Sequence, residues 1–173
     1  MKLRGLLKYD ICNYKVPSMF LIFPYCTFKC DKECGEPVCQ NSALAHEPII
    51  EIDVMEIVQR YLDNPLTHAI VCGGLEPLDS LTELSYLLGL FRSYSSDTIV
   101  IYTGYTEEEL VKTVPYLQKF GNIIVKFGRF IPNSPHIFDA VLGVELASDN
   151  QYAKEMCRNE YTTTNGGEDK TYE

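Results

Sequence analysis

Apolar residues in this chain fall into short unbroken runs that alternate with helical stripes. VPSMFLIFP (16–24) is a continuous apolar run bounded by Pro17 and Pro24, as expected of a buried strand. Asp53 then precedes VMEIVQRYL, in which Val54, Ile57, Val58, Tyr61 and Leu62 share one helical face and Glu56 stands three residues after the cap. THAIVC (67–72) is a second β-rich run, closed by Gly73-Gly74. Ser80 with Glu83 predicts another capping box, for a helix whose stripe is Leu81, Leu84, Leu88 and Phe91. The cycle repeats with DTIVIYT (97–103), then Gly104, then Thr106 and Glu109 capping a helix through about Leu117 that bends or restarts at Pro115. NIIVKF (122–127) supplies a further strand.

Strands alternating with helices predict parallel pairing through right-handed crossovers, hence an α/β fold whose ligand site lies at the carboxyl ends of the strands. Cys26, Gly73-Gly74 and Gly104 all sit just past such ends. Beyond Phe127 the pattern weakens: FDAVLGV (138–144) reads as a last strand, and SDNQYAKEMCRN (148–159) as a short helix capped by Ser148 or Asp149. YTTTNGGEDKTYE is polar, acidic and glycine-bearing, so a disordered tail is expected over 159–173. Residues 1–158 then read as a single domain with a cysteine loop at 25–42, without internal repeats or an interdomain linker.

Composition narrows the partners. A net charge of -9 on 173 residues, without clustered Lys and Arg, argues against nucleic acid. No apolar stretch has the length of a membrane span. In MKLRGLLKYDICNYK the charges of Lys8, Asp10 and Lys15 interrupt any secretory h-region, so a cytoplasmic location is expected. Seven cysteines in a reducing compartment then point to metal or redox chemistry in preference to disulfides.

Four of the seven, Cys26, Cys30, Cys34 and Cys39, fall within fourteen positions. Two readings compete: a structural zinc site using all four, or an iron-sulfur cluster using three or four. Zinc sites most often show C-x2-C knuckles, and this loop has none. Cys12, Cys72 and Cys157 are isolated; His46, His68 and His136 are scattered without an i,i+4 pair. There is no P-loop and no serine nucleophile elbow, and no catalytic side chain is assigned.

Cys26-x3-Cys30 matches the first half of C-x3-C-x2-C, by which radical S-adenosylmethionine enzymes hold a 4Fe-4S cluster. GGLEPLD (73–79), IYTGYTEEEL (101–110), VKFGRFI (125–131) and LASDNQ (146–151) follow in order. Together they resemble the GG-E/D-PL, YTGYT-x-EEL, V-D-G-x-F-I and G-S-x-N-Q segments of the small activating enzymes of anaerobic ribonucleotide reductase. The chain departs from that family in two places: the third thiol is not at the family spacing, and Leu75 is an extra residue between Gly-Gly and Glu-Pro.

The resemblance implies a partial (βα) barrel of the radical-S-adenosylmethionine type with a mostly parallel sheet. It implies a 4Fe-4S cluster on Cys26, Cys30 and Cys39, because Cys39 has Val38 before it and Gln40-Asn41 after it, as the family's last ligand commonly has an apolar or aromatic residue close before it and a polar residue and Asn after; Cys34 is left as an alternative or fourth thiol. It further implies an S-adenosyl-L-methionine site at Val38, Gly73, Gly74, Glu76, Thr103 and Gly104, with Val38 facing the adenine and the glycine carbonyls receiving the methionyl ammonium. The implied activity is reductive cleavage to a 5′-deoxyadenosyl radical that generates a glycyl radical on a large partner, anaerobic ribonucleotide reductase, with a reduced flavodoxin or ferredoxin-type protein as electron donor. The alternatives are a radical enzyme acting on another protein or small molecule, and a non-catalytic zinc-binding interaction module.

Overall fold

The computed structural model describes residues 1–156. In chain order they form β1 (Lys2–Leu3), β2 (Gly5–Asp10), β3 (Ser18–Phe23), α1 (Lys29–Cys34), β4 (Ile50–Glu51), α2 (Val54–Leu62), β5 (Ala69–Gly74), α3 (Leu81–Arg92), β6 (Thr98–Tyr102), α4 (Val114–Gln118), β7 (Ile123–Phe127), β8 (Ile137–Asp139), β9 (Val144–Leu146) and β10 (Tyr152–Met156). The expected tail at 159–173 and Cys157 lie outside the described residues. No described helix is long and apolar enough to cross a membrane.

A mixed six-stranded sheet of order β10-β7-β6-β5-β3-β2 organises the molecule. Its centre, β3-β5-β6-β7, is parallel and follows chain order, while β2 and β10 pair antiparallel at the two edges. Successive parallel neighbours joined by crossovers of one hand place their helices on the same face. The packing agrees: Ile57, Val58 and Tyr61 of α2, Leu84, Leu88 and Phe91 of α3 and Leu117 of α4 share one core with Leu21, Cys72, Ile101 and Val125. Strand residues of opposite parity, Ala69, Val71, Val100 and Ile124, form the second face. There Tyr14, Leu142 and Leu146 pack on the strands, and Leu146 also borders the cavity at their carboxyl ends.

The main strands match the apolar pattern, and α2 buries Val54, Ile57, Val58 and Tyr61 of its expected face but leaves Leu62 exposed at its last turn. Asp53 accepts from the Met55 amide at 2.7 Å, whereas Glu56 pairs with Arg60 instead of closing the box. The Ser80–Glu83 box does not form: the Ser80 hydroxyl is buried without a partner, and Glu83 accepts from the Lys2 amide at 3.0 Å. A 3-10 turn at Pro77–Ser80, capped by Glu76, leads into α3 in its place. Thr106 and Glu109 do cap each other, at 2.9 and 3.3 Å, but only turns follow until α4 starts with Pro115 in its first turn.

Two further expectations are corrected. The strand expected over 138–144 is two short strands, β8 and β9, paired antiparallel around a turn whose Gly143 has φ 72°. The helix expected from 148 gives way to β10: Ser148 bonds the Ile131 amide and Gln151 lies buried, while Tyr152–Met156 completes the otherwise open edge of β7. Satisfying a row of unpaired strand amides outweighs a weak capping signal there. The amino-terminal β2, which no periodicity announced, closes the opposite edge in the same way.

Candidate metal centre and cofactor cavity

Chain geometry at the end of β3 explains how one loop gathers its thiols. After Cys26 the backbone enters the left-handed region at Phe28, φ 50°, and turns into α1, where Cys30 sits in the first turn. The Phe28 amide donates to Cys26 Sγ at 3.3 Å. Gly35, φ 74°, ends α1. The chain then returns because Asp31 Oδ1 accepts from both the Val38 and the Cys39 amides, at 2.9 and 2.8 Å. Cys26, Cys30 and Cys39 thus line one cavity of about 470 Å³ together with Gly74, Glu76, Thr103 and Gly104. Cys34, at the far end of α1, is exposed and outside it; Val38 and Gly73 do not line it either.

The thiols differ in how they hold their protons. Burial pushes Cys26 up to about 11, against the Phe28 amide bond that lowers it. Cys30 and Cys39 share a hydrogen bond: the Cys39 thiol donating to Cys30 draws Cys30 well below the usual thiol range and pushes its own value up. That hydrogen bond favours the Cys30 thiolate, the form in which cysteine binds a soft metal. Among the described residues no group of three or more His, Cys, Asp or Glu side chains is drawn close enough to hold a single ion. A cluster of several irons spreads its thiolates further apart than one ion does.

Glu76 is the polar centre of the cavity wall. Its Oε1 accepts from Thr103 Oγ1 at 2.8 Å and the Leu78 amide at 3.1 Å, its Oε2 from the Gly104 amide at 2.8 Å, and its own amide donates to Tyr25 O at 2.7 Å. Glu76 therefore joins the ends of three strands, its amide reaching the segment after β3 and its carboxyl the end of β6, while it follows β5 itself. Burial pushes it up to about 7 in spite of these donors. Gly74 O already accepts from Asn41 Nδ2 at 2.7 Å, which leaves one lone pair for a ligand.

Lys126 was not among the residues singled out in sequence. It stands opposite Tyr102 in the β6–β7 register, is 7% exposed, and spends one donor on Gly128 O at 2.9 Å. Burial lowers it to about 8, with Glu76 and Cys30 opposing. The available signal was a charge inside the apolar run NIIVKF, on the same parity as buried Ile124.

Gly74 makes the wall testable. Its φ is 84° and an added Cβ would stand 2.6 Å from Ile22 Cγ2 and 3.1 Å from Ile22 Cα. Gly74→Ala is expected to lose about 2–4 kcal/mol in urea unfolding, strain and clash together. Gly104→Ala, whose Cβ meets nothing nearer than 3.6 Å, is expected to lose less than about 1 kcal/mol.

No curated protein and no solved structure matches the chain. A family model described as a 4Fe-4S single cluster domain matches residues 17–140, well over half of the 173, and spans every thiol of the cavity loop together with the strands that carry it. The chain belongs to that family of 4Fe-4S single cluster domains.

Proposed function

We propose that this protein is a radical S-adenosylmethionine enzyme that activates a glycyl-radical partner. The overall change is one-electron cleavage of the sulfonium S–C5′ bond. Methionine and 5′-deoxyadenosine leave, the hydrogen comes from a backbone glycine of the partner, and that glycine keeps the unpaired electron. The observation that carries the reading is the separation of the loop thiols: Cys26, Cys30 and Cys39 line the cavity with Gly74, Glu76 and Gly104, and Cys34 stands outside. Three thiolates on a four-iron cluster leave one iron open to a small ligand. The donor set fits, being sulfur alone with the Cys30 thiolate favoured. Bound there, the cluster would supply the single electron.

The chain's own residues would do the rest. Lys126, a buried cation with two free donors, pairs with the methionyl carboxylate. The remaining lone pair of Gly74 O and the Glu76 carboxyl receive the ammonium. Thr103 and Gly104, fixed by Glu76, border the ribose. Phe20, Leu44 and Tyr102 line the cavity with apolar surface, which excludes water from the reacting centre. A sheet wound in one direction with its helices on one face suits a partial (βα) barrel curving around the cavity. The proposed partner is an anaerobic ribonucleotide reductase, and the proposed donor a reduced flavodoxin or ferredoxin-type protein in the cytoplasm.

Anaerobic reconstitution with iron and sulfide, dithionite reduction and incubation with S-adenosylmethionine should yield 5′-deoxyadenosine, read by chromatography. A reconstituted, reducible cluster that yields none overturns the radical assignment and leaves an iron-sulfur protein of another kind.

A further inference from the structure

Arg129 lies just past β7 and reaches the helix that carries the second thiol. Its Nη2 donates to Glu109 Oε1 at 2.6 Å, and the same oxygen takes Lys29 Nζ at 3.3 Å. Its Nε stands 3.3 Å from Glu33 Oε1 but makes no hydrogen bond, a buried donor without a partner in this structure. Lys29 immediately precedes Cys30, and Glu33 follows it by one helical turn, so Arg129 addresses the face of α1 on which Cys30 sits. The Arg129 stem packs beside Gly104, 3.6 Å from the position a Cβ would take there, an ordinary contact distance.

Of the four charges in this group, Arg129 is by far the least exposed. Its side chain is 10% accessible, against 33% for Glu109, 40% for Lys29 and 60% for Glu33. Water therefore screens the two carboxylates and the lysine more than it screens the guanidinium. The guanidinium is thus a poorly screened positive charge against the helix that carries Cys30, opposed there by the Asp31 carboxylate next in sequence, and removing it leaves negative charge on that helix less well compensated.

We propose that Arg129 tunes the reduction potential of the cluster held by Cys26, Cys30 and Cys39, its buried charge favouring the more negative, reduced state. The inference rests on the iron-sulfur reading of these thiols and not on the identity of the partner. The step is the gain of one electron from an external reductant, with no proton or bond change at the arginine.

Potentiometric titration with dithionite, followed by the electron paramagnetic resonance of the reduced form, tests it. Arg129→Gln keeps a hydrogen-bonding head and loses the charge, and its midpoint should fall by a tenfold change in the one-electron equilibrium, 59 mV. Arg129→Lys should titrate as the wild type does. Arg129→Met, which keeps the apolar stem and also loses the charge, should fall likewise, and it decides the matter if Arg129→Gln takes up no cluster. An unmoved midpoint in whichever neutral variant takes up the cluster, or a fall in Arg129→Lys equal to that in the neutral variant, overturns the proposal. A wild-type chain that takes up no cluster overturns the iron-sulfur reading and this inference together, an outcome distinct from a bound cluster whose potential does not respond.

Discussion

Replacing Cys26, Cys30 or Cys39 by alanine, one at a time, abolishes the visible absorbance of the reconstituted protein, whereas Cys34→Ala retains it with unchanged iron and sulfide content. This is the expected result if the cavity and not the spacing in sequence selects the ligands. Cys34 is exposed at the end of α1, while the other three face one space and two of them share a proton. With one of the three removed, the two remaining thiolates hold the cluster too weakly for it to persist through desalting. Iron and sulfide analysis beside the spectrum is the check. A Cys34→Ala protein that loses its cluster while Cys39→Ala keeps it would reverse the ligand assignment.

Lys126→Met is expected to make the apo protein more stable and the loaded protein worse at binding S-adenosylmethionine. Burial holds the folded-state value at about 8, below the ordinary 10.5. For a depressed lysine the stabilising contribution is present above the unfolded value and lost as pH falls through the folded one. At pH 7 the ammonium is therefore retained against its environment, at a cost of on the order of 3 kcal/mol before its Gly128 hydrogen bond is counted. Removing it should raise the urea-unfolding free energy by about 1–2 kcal/mol below pH 8. That gain should shrink steadily between pH 8 and 10.5 and vanish above. Glu76, already pushed up to about 7, can take up a proton when it loses its cationic neighbour, so it does not cancel the gain. Affinity should fall at least tenfold, since a carboxylate entering the cavity would lose its charge-assisted partner. Equal stability across the pH range, or unchanged affinity measured by equilibrium dialysis, would remove Lys126 from the ligand site.

The parts of the fold that were legible in the chain are those set by local pattern. Apolar runs at 16–24, 67–72, 97–103 and 122–127 became the four parallel strands, and the stripe from Val54 to Leu62 became α2 with Asp53 as its cap. Cys26, Gly74 and Gly104 were legible as site residues because a parallel sheet delivers its strand ends to one side. The edges were not legible. β2 and β10 exist because β3 and β7 offer unpaired amides, a property of the partner strand that leaves no mark in Gly5–Asp10 or Tyr152–Met156. The Ser80–Glu83 signal failed for the same kind of reason: Glu83 found the Lys2 amide 81 residues away. Arg129 and Lys126 were missed as site residues because their significance lies in what they face, α1 for one and the cavity for the other.

Asp31 has a consequence for how such proteins are recognised at all. By pinning the amides of both Val38 and Cys39 to α1, it turns residues 32–37 into a closed excursion whose ends are fastened together. The length of that excursion is then uncoupled from the position of the third thiol, because a closed loop lengthens at small entropic expense. A consensus written as fixed gaps between cysteines scores the eight residues from Cys30 to Cys39 as a broken motif, although the thiols share one cavity. The better search pattern has a variable gap and an acidic residue immediately after the second cysteine.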